Sequence, residues 1–484
     1  MKRRSFLSGT LALAGLPACA NAPDRSARPV AKPADAAIRA TPTAQSMIRG
    51  AGLGGNISAV VADARTGEVL EAVNPIRPLP PASTLKAVTA LYALETLGAD
   101  HRFTTRLIAA GPIRNGRLDG DLVLVGGGDP SLDTDGLHAL AVAAKEAGLR
   151  EVSGRFVVHA GPFGTIDRID GGQPDHVGYN PAVSGLNLNF NRVHFSWKRG
   201  GSAYETALAA RTARFRPAVT TSRMAVEDRA LPVFTYARRG DVDAWTVARR
   251  QLGRTGSRWL PVRNPMLYAG DVMQTMLRAN GIVVPAPVRG STLPDGTVLA
   301  TEAGAALDRV ARGMLRYSTN LTAEVLGLTS SVQRGLARPD LTRSGAMMSD
   351  WLASRTGVRR PDFDDHSGLN GTSRMTGLDM VRALTADGAG DRLRPILKDM
   401  TVEGRRKVRI RAKTGTLNFV SGLAGYFDAG SGRPLAFAVI AADTARRAGL
   451  SRAERERPRG GKAWGNRARR LQYDLISRWS VVHG

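Results

Sequence analysis

The spacing of apolar residues along the chain changes several times, and each change marks an element. Residues 56–63 and 65–70 read as two strands about a short turn, a hairpin. Pro80 and Pro81 then hold the chain extended, and Ala82-Ser83 opens a run of helix formers that Gly98 ends. Apolar side chains surround this helix instead of forming one stripe, which places it in the interior. Residues 103–108, 116–125 and 151–158 have strand character, with a helix over 135–147, and the turn-rich stretch to about Arg263 carries further strands. Asn264-Pro265 is an N-cap and first-turn pair for a helix that Gly281 stops, and another helix covers about 304–315. Val408-Arg409-Ile410-Arg411-Ala412-Lys413 alternates strictly, so Arg409, Arg411 and Lys413 share one face of a strand and the apolar residues take the core face. Strands at 422–427 and 435–441 complete an antiparallel sheet. A last helix, with Trp464, Ala468, Leu471, Leu475 and Trp479 at helical spacing, packs on it.

This order predicts an α+β fold assembled from separated pieces. Residues 46–98 begin a sheet-and-helix core, 264–484 complete it, and a β-rich insertion over 99–263 folds on its own between them. Residues 21–45 hold Pro, Ala, Arg and Ser without periodicity and read as a flexible tether. Residues 1–20 combine a basic start, an apolar run too short to span a bilayer and small residues at its end, an export signal. Arg3-Arg4 before Phe6-Leu7 resembles a twin-arginine signal. Leu16-Pro17-Ala18-Cys19 resembles a lipobox that would lipidate Cys19, with ordinary cleavage after Ala18-x-Ala20 as the alternative. Either route places the mature chain outside the cytoplasmic membrane, in the periplasm, touching the membrane only through the signal or that anchor.

At 484 residues, 43% of them hydrophobic, the chain has material for two or three domains with sizeable cores. The formal charge of +26 raises nucleic acid as a partner. However, the excess is arginine spread along the chain, aromatics are 5% and no nucleic-acid motif is present, so it reads as compositional bias. The basic stretch 446–470 reads as a solvated loop, with attachment to anionic envelope polymers as the bolder alternative. Cys19 is the only cysteine, which excludes a disulfide or a cysteine metal site in the mature chain; the seven histidines show no ligand spacing and read as structural, so no metal or cofactor is expected. Gly126-Gly127-Gly128-Asp129-Pro130 lacks the spacing and lysine of a phosphate loop and reads as a tight turn.

The candidate chemistry begins at Ser83 and Lys86, three residues apart on one face of the buried helix. A serine hydroxyl needs a nearby base to act as a nucleophile. A buried lysine loses hydration, so its pKa falls and it can take the serine proton. Nine lysines stand against 59 arginines, and only Lys86 follows a serine by three residues. Ser318 and Asn320 stand between two helical stretches, where side chains can point into a cleft, although an N-cap serine is the plainer reading of Ser-x-Asn alone. Lys413-Thr414-Gly415 ends the alternating strand, and a glycine there points to close backbone approach by a ligand.

Together, Ser83-x-x-Lys86, Ser318-x-Asn320 and Lys413-Thr414-Gly415 resemble the three motifs of the penicillin-recognising serine enzymes, in the same chain order. The 235 residues from Ser83 to Ser318 leave room for the insertion, a layout similar to the D-alanyl-D-alanine carboxypeptidase/endopeptidase family, the class C low-molecular-mass penicillin-binding proteins. Gly127-Gly128-Asp129-Pro130-x-Leu132, Asn180-Pro181-Ala182-Val183-Ser184-Gly185-Leu186 and Asp365-x-Ser367-Gly368-Leu369 agree with it. After the last of these, Asn370-Gly371-Thr372-Ser373-Arg374 departs from the family by a short insertion before the arginine. The resemblance implies a penicillin-binding-protein/β-lactamase-like core and a serine D-Ala-D-Ala carboxypeptidase, with or without endopeptidase activity, acting on peptidoglycan stem peptides and acylated at Ser83 by β-lactams. In that scheme Lys86 is the base, Ser318 relays a proton and Asn320 grips substrate and lysine. Lys413 and Thr414 bind the terminal carboxylate, Gly415 lies beside them, and the backbone of Ser83 and Thr416 forms the oxyanion hole. A β-lactamase or esterase on the same scaffold and a non-catalytic wall-binding protein are the rival readings; the lack of a Glu-x-x-Leu-Asn segment speaks against the first.

Overall fold

A computed structural model describes residues 41–201, 203–357 and 361–484. The export signal expected over 1–20, its Cys19 and most of the tether lie outside the described residues. The first described element is a short helix, Ala44–Gly50, capped by the Thr43 side chain.

The main sheet has six antiparallel strands, and both ends of the chain supply them. Asn56–Asp63 and Val69–Val73 form the predicted hairpin, and Asn56–Asp63 pairs with Pro434–Ala442 over its whole length. The sheet continues through Val420–Asp428 and Lys407–Leu417 to Lys398–Glu403. One face packs on the C-terminal helix Gly461–Val482, which buries Trp464, Ala468, Leu471, Leu475 and Trp479 as its spacing predicts. The other face packs on a helical layer that includes Leu85–Leu97 and Gly377–Thr385. Leu85 to Leu94 are all buried, so the helix carrying the candidate chemistry runs through the interior.

Between Leu97 and the second helical group the chain builds a separate five-stranded sheet and three small three-stranded sheets. Here the expected boundary needs correction. The helix Pro265–Ala279 does not return to the main core; it packs within the insertion's own apolar cluster through Leu267, Tyr268, Val272 and Leu277. Thr297–Ala306 pairs antiparallel with Arg102–Ala110, closing the insertion where it opened. The chain re-enters the main core only at Leu307–Tyr317, whose Leu307, Val310, Ala311 and Met314 join the core around Leu85–Leu97. The reason is topological: the last strand must come back beside the first, and a helix start cannot announce which core it will join.

Candidate active site

Ser83 sits in a 3-10 turn, Ala82–Thr84, that runs directly into the helix Leu85–Leu97. The turn is held from both sides by glycine. At Gly368, with φ of 70°, a Cβ would lie 2.0 Å from the Ala82 carbonyl oxygen. At Gly415 a Cβ would lie 2.9 Å from the Pro81 oxygen and 3.0 Å from the Thr84 nitrogen. The close approach at Gly415, expected from a ligand, is therefore made by the serine's own turn. Ala82 itself has φ of 48°, a left-handed conformation that costs a Cβ-bearing residue about 1–2 kcal/mol.

The Lys86 amine is buried and donates to three acceptors: Ser83 Oγ at 2.9 Å, Asn320 Oδ1 at 2.7 Å and the Ser367 carbonyl at 2.7 Å. Burial lowers its pKa from 10.5 to about 8, against the pull of the Glu324 and Asp365 charges. At pH 7 roughly one-tenth of such an amine is neutral, against about one in several thousand for an exposed lysine.

Ser318 stands at the corner between Leu307–Tyr317 and Asn320–Gln333, with φ of 59°. It ends one helix in the left-handed region; Thr319, not Ser318, occupies the N-cap of the next. Its Oγ accepts a hydrogen bond from Lys413 Nζ at 2.9 Å. Lys413, unlike its exposed neighbours Arg409 and Arg411 on the same strand face, is buried. Burial, and then the nearby Lys86 and Lys398 charges, push its amine well below the usual lysine value. It also donates to the Thr414 carbonyl at 2.6 Å, and Thr414 is itself exposed. Pairing with Lys398–Glu403 stops at Ala412, so from Lys413 onward that edge of the strand is not paired with it. An open strand edge beside a nucleophile can take a peptide backbone as an added strand.

A cleft of about 280 Å³ is lined by Ser83, Ser318, Asn320 and Thr416 on the core side; Lys86, Lys413, Thr414 and Gly415 are not among its lining residues. The opposite wall comes from Gln173 and Tyr179 of the insertion and from Arg447 and Arg455 near the C-terminus. The insertion thus reaches the chemistry directly: Asn320 Nδ2 donates to the Tyr179 carbonyl at 2.9 Å. The basic stretch is not the plain solvated loop expected. Arg452 donates to Gln173 O at 2.9 Å and pairs with Asp175 at 2.6 Å, Arg455 donates to Gly172 O at 2.9 Å, and Glu456 meets His176 at 2.9 Å. Arg374 turns back on its own loop, donating to the carbonyls of Gly371, Thr372 and Ser373.

Sequence reasoning missed Glu324 and His366, both fully buried, with the Glu324 charge acting on Lys86. The available signal was a lone acid in an apolar helical run, one turn after Asn320. No group of three or more His, Cys, Asp or Glu placed to hold a metal ion occurs among the described residues, and no helix there is long and apolar enough to cross a membrane.

A six-stranded antiparallel sheet backed by helices, with a serine and a buried lysine at the start of an interior helix, is an α+β architecture of the penicillin-binding-protein fold. Comparison narrows the class. Residues 43–456 match the model of the D-Ala-D-Ala carboxypeptidase 3 (S13) family, and the chain belongs to that family, as a serine-type peptidase. A D-alanyl-D-alanine carboxypeptidase of an Actinomadura species is 28% identical over 422 residues, covering 79% of this chain and 76% of its own. The D-alanyl-D-alanine carboxypeptidase DacB of Haemophilus influenzae is 24% identical over 410 residues, covering 79% and 85%. The crystal structure of penicillin-binding protein 4 from Haemophilus influenzae superposes with a TM-score of 0.73 at 20% identity, over 90% of this chain and 99% of that one. A second structure of that protein, in complex with a β-lactam, gives a TM-score of 0.69.

Proposed function

We propose that this chain removes the terminal D-alanine from peptidoglycan stem peptides through an acyl-enzyme on Ser83. The observation that carries the reading is the Lys86 amine, buried and in direct contact with the Ser83 hydroxyl and the Asn320 amide. Lys86 in its neutral form takes the Ser83 proton as Oγ bonds to the carbonyl carbon of the penultimate D-alanine. The backbone N–H groups of Ser83 and Thr416 stabilise the oxyanion. As the C–N bond breaks, the proton passes from Lys86 through Ser318 to the leaving amine. Water then attacks the ester, giving its proton to Lys86, and Ser83 recovers its own. Lys413 and the Thr414 hydroxyl hold the substrate's terminal carboxylate beside Gly415, and the carboxylate's charge favours the ammonium form that burial of Lys413 disfavours.

The same acyl position is open to β-lactams, and the relative crystallised with one shares the fold. The signal-like N-terminus supports a site of action outside the cytoplasmic membrane, where peptidoglycan lies. Labelled penicillin should attach to the wild-type chain and not to Ser83→Ala, and D-alanine release from a pentapeptide should vanish in the same variant. Labelling of Ser83→Ala would refute the nucleophile. Release of D-alanine by wild type with no penicillin adduct would refute the shared acyl position.

A further inference from the structure

One turn beyond Asn320 on the same helix lies an acidic side chain that the proposed reaction does not use. Glu324 is fully buried, and its carboxylate accepts three N–H groups from a single loop: the His366 backbone at 2.9 Å, His366 Nδ1 at 3.0 Å and the Ser367 backbone at 3.0 Å. The carbonyl of that same Ser367 is the third acceptor of the Lys86 amine. The His366 ring lies against Gly327, where a Cβ would fall 1.9 Å from it, so only glycine leaves room for the ring. On its far side Nε2 is 3.0 Å from Ser344 Oγ, which donates to Ser331 Oγ at 2.7 Å; the Tyr92 hydroxyl is 3.1 Å further on. Every member of this chain is buried, and none lines the cleft.

A carboxylate deep in a protein is stable only when its oxygens are satisfied and its charge is balanced. Burial pushes Glu324 up, but the donors of His366 and Ser367 outweigh it, so the group stays ionised. The charged and titratable groups around the Lys86 amine are Glu324 from its helix, Asp365 and His366 from the loop and Lys413 from the strand; the Ser83 hydroxyl and the Asn320 amide meet it directly. Asp365 is raised to about 6 by burial and by Glu324, and four donors from Ser367 Oγ, Gly368, Asn370 and Ser373 Oγ hold it in place.

We infer that Glu324 is a positioning residue for the reaction: it fixes the carbonyl that holds the Lys86 amine, and its charge sets how readily that amine exchanges its proton with Ser83. The inference rests on the reading of Lys86 as the base. It explains how a fully buried lysine remains basic enough to take a serine proton. Desolvation alone would make the amine a poor base; an ionised carboxylate one loop away restores part of its affinity.

The experiment measures the pH dependence of penicillin acylation, and of kcat/KM on a D-Ala-D-Ala peptide, for wild type, Glu324→Gln and Glu324→Asp, with circular dichroism to confirm folding. Wild type should show a rate that rises through about pH 8 as Lys86 loses its proton. Without the Glu324 charge the ammonium is less favoured, so Glu324→Gln should move that rise to lower pH by about one unit, with a plateau about tenfold lower. A merely structural loss would act in the opposite direction, since water entering a loosened site returns the lysine toward its ordinary value. Glu324→Asp keeps the charge and shortens the reach, so its rise should stay in place while its plateau falls about tenfold. A rise unmoved or moved upward in folded Glu324→Gln overturns the inference, as does an unchanged plateau in Glu324→Asp. A wild-type profile with no such rise would instead refute Lys86 as the base, and the inference with it.

Discussion

Asn320 divides one amide between two parts of the molecule, its oxygen on the Lys86 amine and its nitrogen on the Tyr179 carbonyl. Replacing it by alanine leaves an amine in the interior with one acceptor fewer. A hydrogen bond to a charged or partly charged group contributes about 1.5–3 kcal/mol, so Asn320→Ala should slow penicillin acylation by roughly ten- to a hundredfold. If the amide held substrate alone, the loss would fall on KM for the peptide and spare the acylation rate at saturating penicillin. The residues of the three motifs were readable in the sequence because each departs from its local context: a scarce lysine after a serine, a polar pair between helices, a glycine ending an alternating strand. Glu324 was not, since an acid in a helix is ordinarily a solvated one, and only the loop 365–367 shows why this one is inside.

At the scale of elements, the site depends on how closely three pieces of backbone are pressed together. Gly368 touches the Ala82 carbonyl from one side and Gly415 the Pro81–Thr84 turn from the other. Gly368→Ala adds a Cβ at a position of positive φ and drives it into a carbonyl oxygen. Its expected cost is about 2 kcal/mol or more in denaturant unfolding, with penicillin labelling lost in whatever fraction remains folded. Labelling at the wild-type rate would show that the Ser83 turn tolerates displacement. The first hairpin, the helix after Ser83 and the last helix, with Trp464, Ala468, Leu471, Leu475 and Trp479 on its buried face, were legible from apolar periodicity. What periodicity could not show was partnership: Pro265–Ala279 has the same pattern whether it joins the main core or the insertion, and only the pairing of Thr297–Ala306 with Arg102–Ala110 decides it.

At the scale of the whole molecule, part of the far wall of the cleft comes from a segment of the insertion, residues 167–180, held from within and from without. Inside, the buried Arg263 guanidinium donates to the carbonyls of Asp167 at 3.2 Å, Asn180 at 2.6 Å and Asp175 at 2.9 Å, while the Arg263 backbone N–H donates to Asp243 Oδ2 at 2.9 Å. Outside, Arg452 and Glu456 bind the same segment from the C-terminal stretch. The two supports differ in kind. An exposed pair such as Arg452 with Asp175 is worth about 0–1 kcal/mol, whereas three carbonyls left without donors cost several. Arg263→Met should therefore accelerate amide hydrogen exchange across 167–180 and raise KM for a D-Ala-D-Ala peptide about tenfold or more. Arg452→Ala should change KM less than about threefold. Because Tyr179 also holds Asn320, the Arg263 variant should lose acylation rate as well as affinity, a coupling the surface variant lacks. Equal and small effects from both would mean that the insertion merely neighbours the cleft; a large effect from Arg263→Met alone would mean that its interior shapes the catalytic surface.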